Sequence, residues 1–148
     1  MATFLKNINM VSRSATMYSD GEISKISPLK GYHAKYILTL CANPGVSQDQ
    51  LAKTLFLNKS NVARQLTVLE ELGYIERHPD PYDRRVSLVF PTDKADEILP
   101  AIRSINARWR EVITEGFTEG EKEELLRLTQ RLYENAMKYM EGKSDNLP

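Results

Sequence analysis

The sequence has little that would support secretion, membrane insertion or metal binding. Its 148 residues include one cysteine and two histidines. A single thiol cannot form an internal disulfide, and so few ligands form no cluster with the spacing of a metal site. Apolar stretches are short and interrupted by charge, and residues 1–9 lack the apolar core of a signal peptide. These absences favour a single cytoplasmic domain that has no metal, no cofactor and no contact with a membrane.

Catalytic motifs are also missing from the chain. It contains no G-x-S-x-G, no P-loop, no H-E-x-x-H and no glycine-rich dinucleotide turn. We therefore expect a binding protein and not an enzyme.

The chain has no excess of charge of either sign. It carries 20 basic and 20 acidic side chains, a balance that counts mildly against a nucleic-acid ligand. The distribution of the charges matters more than their sum. Lys59 and Arg64 precede Glu70 and Glu71 on one predicted helix, which leaves a local positive face compatible with a neutral total.

Apolar periodicity predicts a mostly helical chain that contains one β-hairpin. A first helical stripe covers residues 4–18 and should end at Asp20-Gly21. Ser27-Pro28 is a typical helix start, and the helix that follows should stop at residues 43–45. Near the end of the chain, Thr118 opens a T-x-x-E capping box for a helix reaching about Glu141, followed by a frayed tail.

The centre of the chain predicts a helix-turn-helix followed by a hairpin. Ser47 and Gln50 form an S-x-x-Q capping pattern, and Asn58 can cap the next helix, which should end at Gly73. The buried stripe of this second helix is Val62, Leu66 and Leu69.

The predicted hairpin has strands at residues 74–77 and 86–90 around a charged turn. Thr92 should cap a long helix reaching about Gly116, in which Pro100 predicts a kink or a break.

The outward face of the helix predicted over residues 59–72 carries side chains that can read DNA. Arginine pairs best with guanine, and asparagine or glutamine with adenine, whereas a serine near a helix start can reach phosphate. The candidates are Lys59, Ser60, Asn61, Arg64 and Gln65. A solvated helix face explains the same residues about equally well.

The charged turn supplies a second candidate contact with DNA. A guanidinium of Arg84 or Arg85 on a protruding hairpin can enter a narrow minor groove. Asp83 would repel phosphate, so we interpret it as a buttress that holds one arginine through a bidentate ion pair. Neighbouring strand residues point to opposite faces, which predicts that only one arginine faces the groove. The alternative is an ordinary charged turn.

Residues 27–92 resemble the multiple-antibiotic-resistance regulator (MarR) family. The resemblance is carried by residues 45–52, by residues 62–77, which include LEELGYIER at residues 69–77, by the wing at residues 80–85 and by Pro91-Thr92. Ala95 departs from the glycine that the family often has early in the helix after the wing. Phe90-Pro91 departs from the leucine that commonly precedes the threonine.

The resemblance implies a mainly α winged helix-turn-helix protein with N- and C-terminal dimerisation helices. Residues 1–148 would form a single domain in which residues 27–92 bind DNA and residues 1–20 and 93–142 dimerise. A homodimer of this kind binds a pseudo-palindromic operator in double-stranded DNA. The apolar stripes at residues 4–18 and 121–140 also require a partner surface, because a lone helix is not stable in water.

The resemblance further implies the roles of individual residues. The family pattern D-x-R places Asp83 and Arg85 together and makes Arg85 the groove-linked arginine. A repressor relieved by a small aromatic acid is expected, with Met17, His33 and Tyr36 as a candidate pocket. Core packing explains these three side chains equally well, and His33 is more typical of a packed histidine than of a sensor. The alternative function is a winged helix that binds only proteins.

Overall fold

The computed structural model describes residues 2–142, which form six α-helices, one 3₁₀ turn and three short strands. In chain order these are α1 (Ala2–Ile23), a 3₁₀ turn (Gly31–His33), α2 (Ala34–Ala42), β1 (Val46–Ser47), α3 (Gln48–Leu55), α4 (Lys59–Glu71), β2 (Ile75–Pro79), β3 (Ser87–Pro91), α5 (Asp93–Ile113) and α6 (Glu119–Glu141). The chain divides between Trp109 and Arg110 into two compact units. None of the described helices is long and apolar enough to cross a membrane.

The first unit contains a three-stranded antiparallel sheet in the order β1-β3-β2. Val89 of β3 pairs with Val46 on one side and with Arg77 on the other. The predicted hairpin is confirmed, with each strand beginning one residue later than expected. Strand β1 was not predicted, because two residues are too few to display an alternating pattern.

The core of the first unit lies between the central helices and the sheet. The predicted stripe of α4 is fully buried, as are side chains of α2, α3 and β3. The most deeply buried members are Ile37, Leu40, Leu51, Val62, Leu66, Leu69 and Val89. Full burial of such a side chain stabilises a fold by about 1.5–3 kcal/mol, so this cluster fixes the position of α4.

The predicted caps of the helix-turn-helix are confirmed. Ser47 Oγ accepts a hydrogen bond from the Gln50 N–H at 3.1 Å. Asn58 Oδ1 accepts the N–H groups of Ser60 and Asn61 at the start of α4. Gly73 follows α4 with a φ of +83°, a left-handed conformation that favours glycine.

The predicted end of the first helix was wrong. α1 continues through Asp20 and Gly21 to Ile23, which is completely buried. A glycine inside a helix costs only about 1 kcal/mol, less than the burial of one isoleucine contributes. The Asp20 carboxylate instead accepts the Gly31 N–H at 2.9 Å and ties α1 to the 3₁₀ turn.

The predicted helix start at Ser27-Pro28 was also wrong, because helical structure begins only at Gly31. The Ser27 hydroxyl accepts the Leu29 N–H at 3.2 Å and donates to the Ile23 carbonyl at 3.1 Å. These bonds form a local turn that competes with a helix for the same groups. Pro100 does not break α5, which is continuous around it.

The second unit contains α6, whose predicted capping box is confirmed. The Thr118 N–H donates to Glu121 Oε2 at 2.8 Å, and the Glu121 N–H donates to Thr118 Oγ1 at 3.2 Å. The helix ends at Glu141 as expected, and residues 143–148 of the predicted tail lie outside the described residues. No residue of α6 is buried in the single chain. Its exposed apolar side chains include Leu125, Leu126, Leu128, Leu132 and Tyr133.

Candidate nucleic-acid interface

The exposed face of α4 carries the predicted base-reading residues. Arg64 is exposed, and its side chain forms no hydrogen bond or ion pair with the part of the chain that the structure describes. Asn61 lies one turn earlier and is half-buried. Lys59 Nζ lies 3.3 Å from Asp49 Oδ2, but both side chains are about two-thirds exposed, so the pair contributes little to stability.

Ser60 is engaged in the cap of α4. Its hydroxyl donates to Asn58 Oδ1, and its N–H donates to the same oxygen at 2.9 Å. A hydroxyl whose proton is already shared cannot donate to a phosphate. The predicted contact between Ser60 and phosphate therefore requires this hydroxyl to leave the cap.

Gln65 is held from inside the protein by His33. The Lys30 N–H donates to His33 Nδ1 at 3.0 Å, and His33 Nε2 lies 3.0 Å from Gln65 Oε1. The imidazole is 1% exposed. This burial lowers the pKa of His33 and outweighs the opposing effect of its hydrogen bond to Gln65. The neutral ring is the form that fits this site.

The turn between β2 and β3 contains the predicted buttress. Arg85 donates through Nε to Asp83 Oδ1 and through Nη2 to Asp83 Oδ2, each at 3.0 Å. Hydrogen bonding by the guanidinium lowers the pKa of the Asp83 carboxyl. The Arg85 side chain is 90% exposed although it is paired. A fixed and accessible guanidinium of this kind is suited to an anionic ligand.

Arg84 and Arg85 do not lie in a strand, so strand alternation does not place them on opposite faces. Strand β3 begins at Ser87, so both arginines lie in the turn, where the alternation of a strand does not apply. Arg84 is exposed. The choice of Arg85 depends instead on its pairing with Asp83.

A contact that the sequence analysis missed joins β2 to α4. Arg77 donates through Nε to Glu70 Oε2 at 3.2 Å and through Nη2 to Thr67 Oγ1 at 3.1 Å. Its Nη1 reaches Gln48 Oε1 of α3 at 3.5 Å. The guanidinium lowers the pKa of Glu70. The Arg77 side chain thus holds β2 and α4 in one relative geometry.

The start of α5 is bonded to the end of α4. The Thr92 hydroxyl donates to the Gly73 carbonyl at 2.6 Å, and Lys94 Nζ donates to the Leu72 carbonyl at 2.7 Å. Lys94 also lies 4.6 Å from the centre of the Tyr74 ring. Thr92 accepts the N–H groups of Ala95 and Asp96 through its main-chain carbonyl, so its hydroxyl is free for this second role.

The three predicted pocket residues lie in different environments. Met17 of α1 is 75% exposed, whereas His33 and Tyr36 are each 1% exposed. Tyr36 lines a cleft of about 360 Å³ between α2 and α4, whose other lining residues are Tyr32, Lys35, Asn61 and Gln65. Within residues 2–142 the buried Tyr36 hydroxyl has no hydrogen-bond partner.

Comparison with known proteins identifies this arrangement. The sequence model of the MarR family matches residues 27–86. The HTH-type transcriptional regulator YybA of Bacillus subtilis (strain 168) is 30% identical over 135 residues, which cover 91% of this chain and 89% of that protein. A crystal structure of MarR superposes with a TM-score of 0.86 and 31% identity over 93% of this chain and 92% of that one.

A further structure was solved with DNA. It is a MarR family regulator from Listeria monocytogenes complexed with 26mer DNA, with a TM-score of 0.84, 26% identity and coverage of 97% of this chain and 96% of that one. The fold is that of a winged helix-turn-helix regulator. The chain belongs to the MarR family. Its function class is DNA-binding transcriptional regulation, and a winged helix that binds only proteins is not favoured.

Proposed function

We propose that the chain is a homodimeric repressor that reads a pseudo-palindromic operator with α4 in the major groove and Arg85 in the minor groove. The observation that carries this proposal is the bidentate Asp83–Arg85 pair, which holds a guanidinium in place and leaves it 90% exposed. Arg77 fixes the wing strand to α4, so both elements are presented together. The DNA complex of the Listeria relative supports double-stranded DNA as the partner.

The proposal also assigns DNA binding and dimerisation to different segments of the chain. Residues 27–92 bind DNA, and residues 1–20 and 93–142 hold the two copies together within one domain. The exposed apolar side chains of α1 and α6 support this assignment, because such surfaces are typical of an interface. We propose a cytoplasmic location, because the DNA that the protein would bind is found there. We assign it no catalytic activity.

We further propose a small aromatic acid as the effector. The cleft beside α4 offers the Tyr32 ring for stacking and Lys35 for a carboxylate, and Tyr36, which also lines it, has a buried hydroxyl with no hydrogen-bond partner within residues 2–142. An acid bound here would contact Asn61 and Gln65, two candidate reading residues. Salicylate at millimolar concentration should therefore raise the melting temperature and weaken operator binding. Absence of both effects would contradict this ligand class.

The repressor proposal is tested in two steps. The purified protein is first used to select sequences from a random DNA library at low and moderate salt. We expect enrichment of an inverted repeat whose half-site centres lie about one helical turn apart. A reporter placed behind the enriched sequence should then be silenced by the intact chain. Retention of DNA without any sequence preference, or activation of the reporter, would contradict the proposal.

A further inference from the structure

The proton arrangement around His33 follows from one main-chain hydrogen bond. A backbone N–H can only donate, so His33 Nδ1 must accept the bond from Lys30 at 3.0 Å and carries no proton. In a neutral imidazole the proton is then on Nε2. Nε2–H therefore donates to Gln65 across 3.0 Å, and the Gln65 atom that faces it must be the acceptor Oε1.

This chain of bonds determines which way the Gln65 amide points. Its carbonyl oxygen is directed at the buried imidazole, so its NH₂ group points away from His33. The opposite orientation would place two donors against each other. Gln65 is half-buried, and its NH₂ group forms no hydrogen bond within the part of the chain that the structure describes.

The orientation limits what Gln65 can recognise. A glutamine reads adenine with both halves of its amide, because Oε1 accepts from N6 while Nε2 donates to N7. Gln65 Oε1 retains a second lone pair, but an oxygen directed at the buried imidazole cannot lie alongside the NH₂ group against one base edge, so the half of the amide left for DNA is the donor. In the major groove guanine presents two acceptors, N7 and O6, and thymine presents O4, whereas adenine places the donor N6–H₂ beside its one acceptor, N7.

We propose that His33 is a positioning residue that turns the NH₂ group of Gln65 outward, so that Gln65 selects a base edge with acceptors, guanine first, and discriminates against adenine. This inference rests on the proposed reading of an operator by α4. It makes a buried side chain in the turn before α2 a determinant of base preference, although His33 itself touches no base. The general pairing of glutamine with adenine therefore does not apply to Gln65 in this proposal.

The first test keeps His33 and changes the group that faces the DNA. In Gln65→Glu the carboxylate still accepts from His33 Nε2–H, but the outward donor becomes an acceptor. We expect wild type to enrich guanine or thymine at one position of each half-site. The variant should enrich cytosine there, whose N4 donates, with a change in relative affinity of about tenfold. Arg64→Ala is the matched control and should relax a different position.

The second test removes the positioning group. His33→Leu cannot donate to Gln65, so the amide becomes free to rotate and the same position should accept adenine as well as guanine. His78→Gln, which alters the other, exposed histidine, should leave that preference unchanged. The tautomer of His33 is measured independently of DNA from the ¹⁵N–¹H couplings of the imidazole ring in wild type, so a folding defect of His33→Leu does not prevent a decision.

The outcomes separate this inference from the proposed function. A wild-type chain that enriches no sequence contradicts both. Three outcomes contradict only the role of His33. The selected operator has adenine at the position that Gln65 reads, or Gln65→Glu selects the same base there as wild type, or the His33 ring carries its proton on Nδ1. A shift to cytosine together with a proton on Nε2 supports it.

Discussion

The winged helix-turn-helix region and the last helix differ in where their apolar side chains go. Residues of α2, α3 and α4 meet in a common core, with Leu40, Leu51 and Leu66 completely buried. α6 has four leucines, and none of its residues is buried within the single chain. Most of the stability of a helix in a protein comes from the packing of its apolar face and not from its own hydrogen bonds. The reading region is therefore stabilised within one chain, whereas the apolar side chains of α6 stay exposed and would be covered in the dimer that we propose.

The largest expected effect is on the stability of the proposed dimer. Leu128→Lys would place a charge in the apolar stripe of α6 and should weaken the dimer by about 2 kcal/mol or more, which corresponds to a dissociation constant about 30-fold higher. Operator binding should fall with it, since each monomer retains only one half-site. Mass and affinity are measured together by light scattering and by titration of labelled operator.

The matched control adds the same charge to a polar position of the same helix. In Gln130→Lys the new ammonium can pair with Glu134, the present partner of Gln130. The dimer should remain intact in this variant. If the unsubstituted protein is monomeric at micromolar concentration, α6 is not covered by a second copy and the proposed contrast with the reading region is contradicted.

A second prediction concerns the exposed face of α4. Because Arg64 has no partner in the described chain, Arg64→Ala should leave the free energy of unfolding almost unchanged. The same change should cost about 1–3 kcal/mol of operator binding and relax one position of each half-site. Thermal unfolding and sequence selection measure the two effects separately. Unchanged specificity with weaker binding would assign Arg64 to a phosphate.

Substitutions in the wing should change DNA affinity by less, but two models predict opposite signs for the change. Counting charges predicts that Asp83→Asn tightens DNA binding, because a negative charge near phosphate is removed. The buttress predicts weaker binding, by about 1 kcal/mol, because Arg85 loses one of two charge-assisted bonds. Arg85→Ala is the companion variant and should make the salt dependence shallower by about one unit. Titrations at matched salt decide, and tighter binding by Asp83→Asn refutes the buttress.

The smallest effect is on stability against pH. Burial lowers the pKa of His33 in the folded chain, whereas in the unfolded chain it stays near the ordinary value of about 6.5. The unfolded state therefore binds the extra proton first. The free energy of unfolding should be fully maintained above about pH 6.5 and should decline as pH falls through the lowered folded pKa.

The charged groups around His33 oppose each other in this titration. Lys30 lowers its pKa, whereas Asp20 of α1 and the hydrogen bond to Gln65 raise it. Chemical denaturation at several pH values measures the decline, at most about 1.4 kcal/mol per pH unit for one group. His33→Gln should remove it, and His78→Gln should retain it. An identical decline in all three proteins would assign the pH dependence to carboxylates.

Features set by a few neighbouring residues could be predicted from the sequence. The caps at Ser47, Asn58 and Thr118 depend on side chains two or three positions from the N–H groups they satisfy, and all three were predicted. The pairing of Asp83 with Arg85 also spans two positions. The buried stripe of α4 follows from its 3.6-residue period.

Features that depend on distant residues could not be read in this way. The contacts between His33 and Gln65 and between Arg77 and Gln48 span 32 and 29 positions and exist only once the helices have packed. The extension of α1 past Gly21 is similar, because the burial of Ile23 outweighs a local signal to stop. Strand β1 is defined only by its pairing with β3.

The bond between His33 and Gln65 has a consequence for how such a regulator can change its target during evolution. A mutation at Arg64 alters one reading side chain and disturbs no internal bond, so single substitutions there are accessible. A mutation of Gln65 to a residue without an acceptor at this place leaves the buried Nε2–H unpaired, which costs about 1–3 kcal/mol unless His33 also changes. Among homologues, the residue at position 64 should therefore vary independently, whereas the residues at positions 33 and 65 should change together.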